Sequence, residues 1–304
     1  MTWRTFTDWV KHSRFAMRVA DRLGRGRGQL RILDHVQTRP LTPPRPDLRN
    51  WASRSLSAVW IGHSTVLLRI DGLTILTDPV FSRRIGLGLG ILTVGPQRFI
   101  APAIELHRLP PLDVIIISHA HFDHLDRPTL RRLPKNVRIV CSNDTADLIR
   151  DLGFARIDEL KWDQSLVISG IKFTSRRVEH WGARTFFDCH RGYAAFLIES
   201  SRHRVLYAAD TAYQEHFRDI SNVDLAIFGI GAYDPYIQAH ASPEQVWAMA
   251  NHVHAAHIMP VHHSTFRLSH EPMDEPLQRL LAAAGNEADR IVIRQVGGQW
   301  QSAI

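Results

Sequence analysis

The sequence predicts an α/β fold: a four-layer αββα sandwich, two mixed sheets between helices, in one domain from residue 51 to residue 304. Two observations carry this. From Ser57 onward the chain is a succession of short, β-rich apolar runs. Helical segments with recognisable start and stop signals are interleaved with them, so helices can cover the outer faces of paired sheets. With 304 residues, 44% of them hydrophobic, the chain can bury one large core or two modest ones. It shows no low-complexity tract and no fixed-period repeat.

Residues 1–50 stand apart as a basic arm and linker. The net charge is +7, and the arm holds all of it, with eleven Lys/Arg against four Asp/Glu; residues 51–304 are balanced. Trp3, Phe6, Trp9, Val10, Met17 and Ala20 recur near helical spacing, with Arg4, Lys11, Arg14, Arg18 and Arg22 between them. Such a helix suits either peripheral attachment to an anionic membrane through residues 1–30 or packing against the protein's own body. Gly24, Gly26 and Gly28 should end it, and Pro40, Pro43, Pro44 and Pro46 mark a linker. An organelle presequence is disfavoured by Asp8 and Asp21. Nucleic acid is the weaker partner, because the balanced body offers no basic surface.

The body then reads in order. Runs at 58–61, 65–70 and 73–77 are strands, with Asp71-Gly72 as the hairpin turn between the last two. Further strands are expected at 114–118, 137–141, 171–178, 194–199, 204–208, 224–228, 256–261 and 291–295. Helices are expected at 143–152, stopped by Gly153, and at 274–284, stopped by Gly285. Another spans 243–254, opened by the capping box Ser242-Pro243-Glu244-Gln245. Residues 81–112, rich in Gly and Pro, form a long excursion of the kind that often becomes a lid. Only two cysteines are present, without a C-x-x-C pair. No apolar run approaches the ~20 residues that span a bilayer, and the N-terminus lacks a signal-peptide core. The expected location is cytoplasmic, peripheral on the inner membrane face if the arm engages lipid.

The chemistry is concentrated at His119-Ala-His-Phe-Asp-His124, directly after the apolar run 114–118. His119 and His121, two apart on extended chain, point to one side and can close on one ion. Asp123 and His124 follow where the chain has turned and can reach a second. Imidazole and carboxylate suit zinc or a similar metal. Three further strand ends carry potential ligands: His180 after 171–179, Asp210 after 205–209, and His262 after 256–261. By contrast, His252 and His254 diverge on a helix and are read as structural, as is His257. Ser64 and Ser264 flank histidines, but a serine triad would leave the other ligands unexplained.

With those positions the chain resembles the metallo-β-lactamase fold superfamily. It is most similar to the branch of N-acylphosphatidylethanolamine-hydrolysing phospholipase D and its bacterial relatives. The shared motifs include Trp60-Ile-Gly-His-Ser-Thr65, Leu76-Thr-Asp-Pro-Val-Phe-Ser82, Gly95-Pro-Gln-Arg-Phe99, the HxHxDH run, Glu179-His-Trp181, Ala209-Asp-Thr-Ala-Tyr213 and His262-His-Ser-Thr-Phe266. They span residues 55 to 270. The resemblance implies that His119, His121 and His180 bind one metal, that Asp123, His124 and His262 bind a second, and that Asp210 bridges them. His63 and Asp78 would orient ligands from behind. His240 matches a histidine near the substrate and, with Asp123, is a candidate catalytic residue. The stretch Tyr233-Asp-Pro-Tyr-Ile237 departs from the branch.

The expected function is therefore a di-metal hydrolase, with zinc as the default ion and iron or manganese as alternatives. The first reading is a phosphodiesterase of phospholipase D type, using a metal-bridging hydroxide on a phospholipid such as an N-acylphosphatidylethanolamine. The second is a lactonase or another ester or phosphate hydrolase with a soluble substrate. A third, from a different class, is a nucleic-acid-binding protein or nuclease using the basic arm.

Overall fold

The computed structural model describes residues 39–89, 92–185 and 187–302. Residues 1–38 of the expected arm and linker lie outside them. Within the body, one sheet contains β1 (Leu56–Gly62), β2 (Thr65–Ile70), β3 (Leu73–Thr77), β6 (Val114–Ile117), β7 (Arg138–Ser142), β8 (Arg156–Leu160) and β15 (Gln299–Gln301). Its order is β15-β1-β2-β3-β6-β7-β8. The other contains β9 (Ser165–Ile168), β10 (Ile171–Arg176), β11 (Ala195–Glu199), β12 (Arg204–Ala209), β13 (Leu225–Gly229) and β14 (His257–Val261), in the order β14-β13-β12-β11-β10-β9. A small ribbon, β4 (Leu87–Leu89) with β5 (Leu92–Val94), stands within the 81–112 excursion. The helices are α1 (Arg127–Arg132), α2 (Pro243–His252) and α3 (Glu275–Ala284).

The four layers follow from how the strands alternate. Along β1, Leu56, Ala58 and Trp60 face the second sheet and meet Phe173, Phe196, Tyr207 and Ile227. Val59 and Ile61 face outward, toward Leu125, just before α1, and Leu130 within it. Every residue of β1 is buried, as expected where both faces of a sheet are covered. On the opposite side, Leu206, Ala208 and Phe228 pack beneath Val246 and Met249 of α2 and Leu280 of α3. The 71–72 turn is as read: Asp71 and Gly72 have φ of 43° and 94°, the left-handed pair that a tight hairpin demands.

Two expected elements differ. Residues 143–152 form two short 3-10 turns, Ala146–Leu148 and Arg150–Leu152, rather than one α-helix. The Glu159 carboxylate takes the N–H groups of Thr145 and Ala146 at 2.7 and 2.8 Å. The chain then breaks at Ile149, whose φ is -132°. Residues 291–295 make only a bridge from Ile291 to Ile258, and Arg294 turns back on the carbonyls of Ile291 and Ala288. The edge beside β1 goes instead to β15. In the two large sheets the strands that the sequence hid, β8, β9 and β15, are all edge strands. Polar residues such as those of Arg156-Ile-Asp-Glu-Leu160 suit an edge and mask the apolar signal.

Strand direction positions the site. β1, β3 and β6 run the same way, since β1 and β3 each lie antiparallel to β2, and β3 is parallel to β6. β10, β12 and β14 share a direction likewise. The C-terminal ends of the first three carry His63, Asp78 and the HxHxDH run. Those of the second three lead to His180, Asp210 and His262.

A buried histidine and carboxylate cluster at the strand ends

The chain bends sharply as it leaves these strands. His63, Asp78, Ala209 and His262 have φ of 53°, 33°, 53° and 60°. Such left-handed backbone is uncommon for residues other than glycine and gathers where function holds it in place. The register also slips between Trp60 and Gly62 in β1 and between Tyr207 and Ala209 in β12. Both irregularities come just before a site residue and re-aim it, as bulges beside active sites do.

Two groups of side chains result. In the first, His121 Nδ1 lies 2.8 Å from His119 Nε2 and 3.3 Å from His180 Nε2. In the second, Asp123 Oδ2 lies 3.3 Å from His262 Nε2 and 3.6 Å from His124 Nε2. Asp210 stands between the groups. Its Oδ2 is 3.1 Å from both His124 Nε2 and His262 Nε2, 3.8 Å from His180 Nε2 and 4.0 Å from His119 Nε2. All seven residues that the resemblance named therefore meet.

The outer residues are placed as follows. His63 comes closer than orienting from behind requires: its Nε2 is 2.9 Å from Asp123 Oδ2, within ligating reach of the second group. Asp78 is wholly buried and meets His124 Nδ1 at 2.6 Å, leaving His124 Nε2 to face the cluster. His180 is held the same way, its Nδ1 lying 3.0 Å from the Ala239 carbonyl. A backing hydrogen bond of this kind fixes both tautomer and ring orientation. His240 Nδ1 is 3.8 Å from Asp210 Oδ2, and its ring stacks on that of His262 at 5.3 Å. Trp181 closes one side against His121 and His180.

His252, His254 and His257 stay outside the cluster. His257 bonds the Asp224 carbonyl and packs on Trp300. His263 turns away onto Trp60. Tyr233 of the departing stretch bonds Glu275 at 2.8 Å beneath Arg279. A cavity of about 680 Å³ between residues 42–48 and 101–108 is lined by none of the cluster residues.

Sequence reasoning missed two participants. Ser118 binds both Asp78 oxygens, through its N–H at 2.7 Å and its hydroxyl at 2.5 Å. The Tyr207 hydroxyl donates to Asp78 Oδ2 at 2.5 Å. Burial first, then the Asp78 charge, push the Tyr207 phenol well above its usual range, so it remains a donor. The one available signal was a lone hydroxyl inside the apolar run Val205-Leu-Tyr-Ala-Ala209.

The electrostatics call for cations. Burial pushes His121, His180 and His240 down to about 3, and takes His119 well below its ordinary value. These rings are neutral lone-pair donors at pH 7. His124 and His262 go the other way. Burial opposes their charge, but the Asp210 and Asp123 carboxylates outweigh it, raising His124 well above its usual value and His262 to about 9. The buried Asp210 and the largely buried Asp123 require positive charge close by, and in the protein alone protons on these rings supply it. His124 Nε2 and Asp210 Oδ1 are also buried without a hydrogen-bond partner. Neutral imidazoles, deprotonated carboxylates and a His124 Nε2 set beside Asp210 Oδ2 fit a pair of divalent ions.

Known proteins share this frame. Residues 74–263, a span containing every cluster residue except His63, match the profile of the Beta-lactamase superfamily domain. An uncharacterized protein of Mycobacterium tuberculosis is 34% identical over 273 residues, covering 84% of this chain and 72% of that one. N-acyl-phosphatidylethanolamine-hydrolyzing phospholipase D 1 of Caenorhabditis elegans is 27% identical over 275 residues, covering 82% of this chain and 76% of that one. Among solved structures, an isothiocyanate hydrolase from Delia radicum gut bacteria superposes with a TM-score of 0.66 at 17% identity, over 81% of this chain and 99% of that one. That likeness concerns the fold alone.

Proposed function

The chain belongs to the metallo-β-lactamase superfamily, as a metal-dependent hydrolase in a branch like that of N-acylphosphatidylethanolamine-hydrolysing phospholipase D, and from that premise we propose that it is a phospholipid phosphodiesterase of the same type. The observation that carries the proposal is the position of Asp210 Oδ2 between two histidine groups, which suits two ions sharing one carboxylate. His119, His121 and His180 would hold one ion, Asp123, His124 and His262 the other, and Asp210 both. Zinc is the first choice, with iron or manganese as alternatives. When bound, such a pair supplies Lewis acidity toward a phosphoryl oxygen and lowers the pKa of water at the site.

The chain's own residues then do the rest. His240, kept neutral by burial, reaches the edge of the cluster and can donate a hydrogen bond to a phosphoryl oxygen without adding charge. Trp181 excludes water from the first histidine group. A water oxygen bonds to phosphorus as the bond to the N-acylethanolamine oxygen breaks, giving a phosphatidic acid and the free alcohol. Residues 1–30, with aromatics and arginines near helical spacing, would bring the protein to the inner face of a membrane; no helix among the described residues is long and apolar enough to cross one.

A second reading, a lactonase or other ester hydrolase with a soluble substrate, draws support from Tyr233. Its hydroxyl is engaged by Glu275, in a stretch that departs from the branch. The test is metal content and turnover of wild type and Asp123→Ala. The substrates would be bis(p-nitrophenyl) phosphate, an N-acylphosphatidylethanolamine in mixed micelles, and an acyl lactone. Diester and lipid cleavage that the substitution abolishes supports the phosphodiesterase. Lactone turnover alone selects the second reading, and wild type without bound metal refutes both.

A further inference from the structure

We propose that Tyr207 and Ser118 are positioning residues that act through Asp78 to fix one ligand in each metal position, so that a single buried carboxylate sets both. This rests on the reading of His119 and His124 as ligands.

The hydrogen bonds trace two routes from the same oxygen. Asp78 Oδ2 meets His124 Nδ1 directly at 2.6 Å. It also accepts the Ser118 hydroxyl at 2.5 Å. Having given its proton to Asp78, that hydroxyl can only accept from His119 Nδ1, 2.9 Å away. With ions bound, both rings would therefore keep their proton on Nδ1 and leave the Nε2 lone pair for the metal. His119 and His124 belong to different groups, yet one carboxylate dictates the tautomer of each.

Asp78 must itself be held. It is wholly buried, and a buried carboxylate is stable only when its lone pairs are satisfied. The Ser118 N–H takes Oδ1 at 2.7 Å. The third donor to Oδ2 is the Tyr207 hydroxyl at 2.5 Å, which crosses the core from β12 of the other sheet. Tyr207 lies three residues before Asp210, the carboxylate set between the two groups. The same strand thus delivers Asp210 and braces the residue that orients the ligands opposite it.

The test is chelator competition for zinc and for cobalt, resolved into two binding equivalents, on wild type, Tyr207→Phe, Ser118→Ala and Ser118→Thr. A core variant in the same inter-sheet layer, Phe173→Leu, controls for loss of packing. Tyr207→Phe and Ser118→Ala are expected to weaken both equivalents by roughly 10–100-fold, the usual effect of removing a partner behind a ligand. Ser118→Thr, which keeps the hydroxyl, is expected to restore wild-type affinity. Wild-type affinity in Tyr207→Phe overturns the proposal, as does loss confined to one equivalent or an equal loss in Phe173→Leu. Failure of wild type to bind metal refutes the di-metal reading itself, an outcome separate from these.

Discussion

Asp210 Oδ2 lies 3.1 Å from His124 Nε2, so a carboxylate delivered by one sheet closes on an imidazole delivered by the other. The same oxygen faces His119 and His180. Asp210→Asn, which keeps shape and removes charge, should therefore empty both positions. Elemental analysis is expected to show a fall from about two ions per chain to fewer than one, with turnover reduced by roughly 100-fold or more. Loss of a single ion would confine Asp210 to one group.

Stripping the metals should cost stability as well as activity. Asp123 and Asp210 lie close together, Asp210 buried and Asp123 largely so, and without ions protonated His124 and His262 balance them. Ligands that bind only the folded state raise its stability by mass action. Dialysis against a chelator is expected to lower the thermal midpoint by roughly 5 °C or more for a chain of this size, and added zinc to restore it. An unchanged midpoint would argue against a tightly bound pair.

Gly231 has no room for a side chain. A Cβ there would stand 2.3 Å from the His262 carbonyl oxygen, a backbone atom that cannot move without carrying His262 with it. Gly231→Ala should cost about 1–3 kcal/mol, as overpacking does, and should also weaken metal binding. Gly88→Ala, where nothing lies within 4 Å, is the control and should be neutral in denaturant titration.

Helices α2 and α3 are joined by Glu244 and Arg279, paired at 2.8 Å through two bonds. The Arg279 hydrogen bond holds the Glu244 carboxyl down at about 2, against an ordinary value of 4.5. A depressed folded-state value means that the contribution is complete above about 4.5 and fades as the pH falls toward 2. The pair is more than a third exposed, so its worth is about 0.5 kcal/mol. The stability gap between wild type and Glu244→Gln should be present at pH 7 and absent near pH 2. A gap that persists in acid would assign the effect to packing.

Strand ends explain what could be read in advance. His119, His180, Asp210 and His262 each follow an apolar run, and parallel strands gather such ends on one edge. Their meeting was therefore legible from spacing and motif. Contacts between the sheets were not. The sequence does not single out Tyr207, because nothing in Val205-Leu-Tyr-Ala-Ala209 shows that its hydroxyl crosses to Asp78. His63 lies in ligating reach of Asp123 only because the backbone at His63 turns left-handed. The turns at 143–152 differ from the expected helix because the backbone breaks at Ile149, where φ is -132°, and nothing in the residue pattern announces that break.

The division of the cluster between two sheets also governs when it can exist during folding. His119, His121 and Asp123 emerge from one short stretch, but His262 reaches Asp123 only after well over a hundred residues have been ordered between them. Contacts at such separation carry a large loop-closure cost and form late. A partly folded chain therefore offers at most a weak, incomplete chelate, and tight metal uptake marks the moment when the second sheet docks on the first. The rate of metal capture by refolding protein would then time the closure of the sandwich itself.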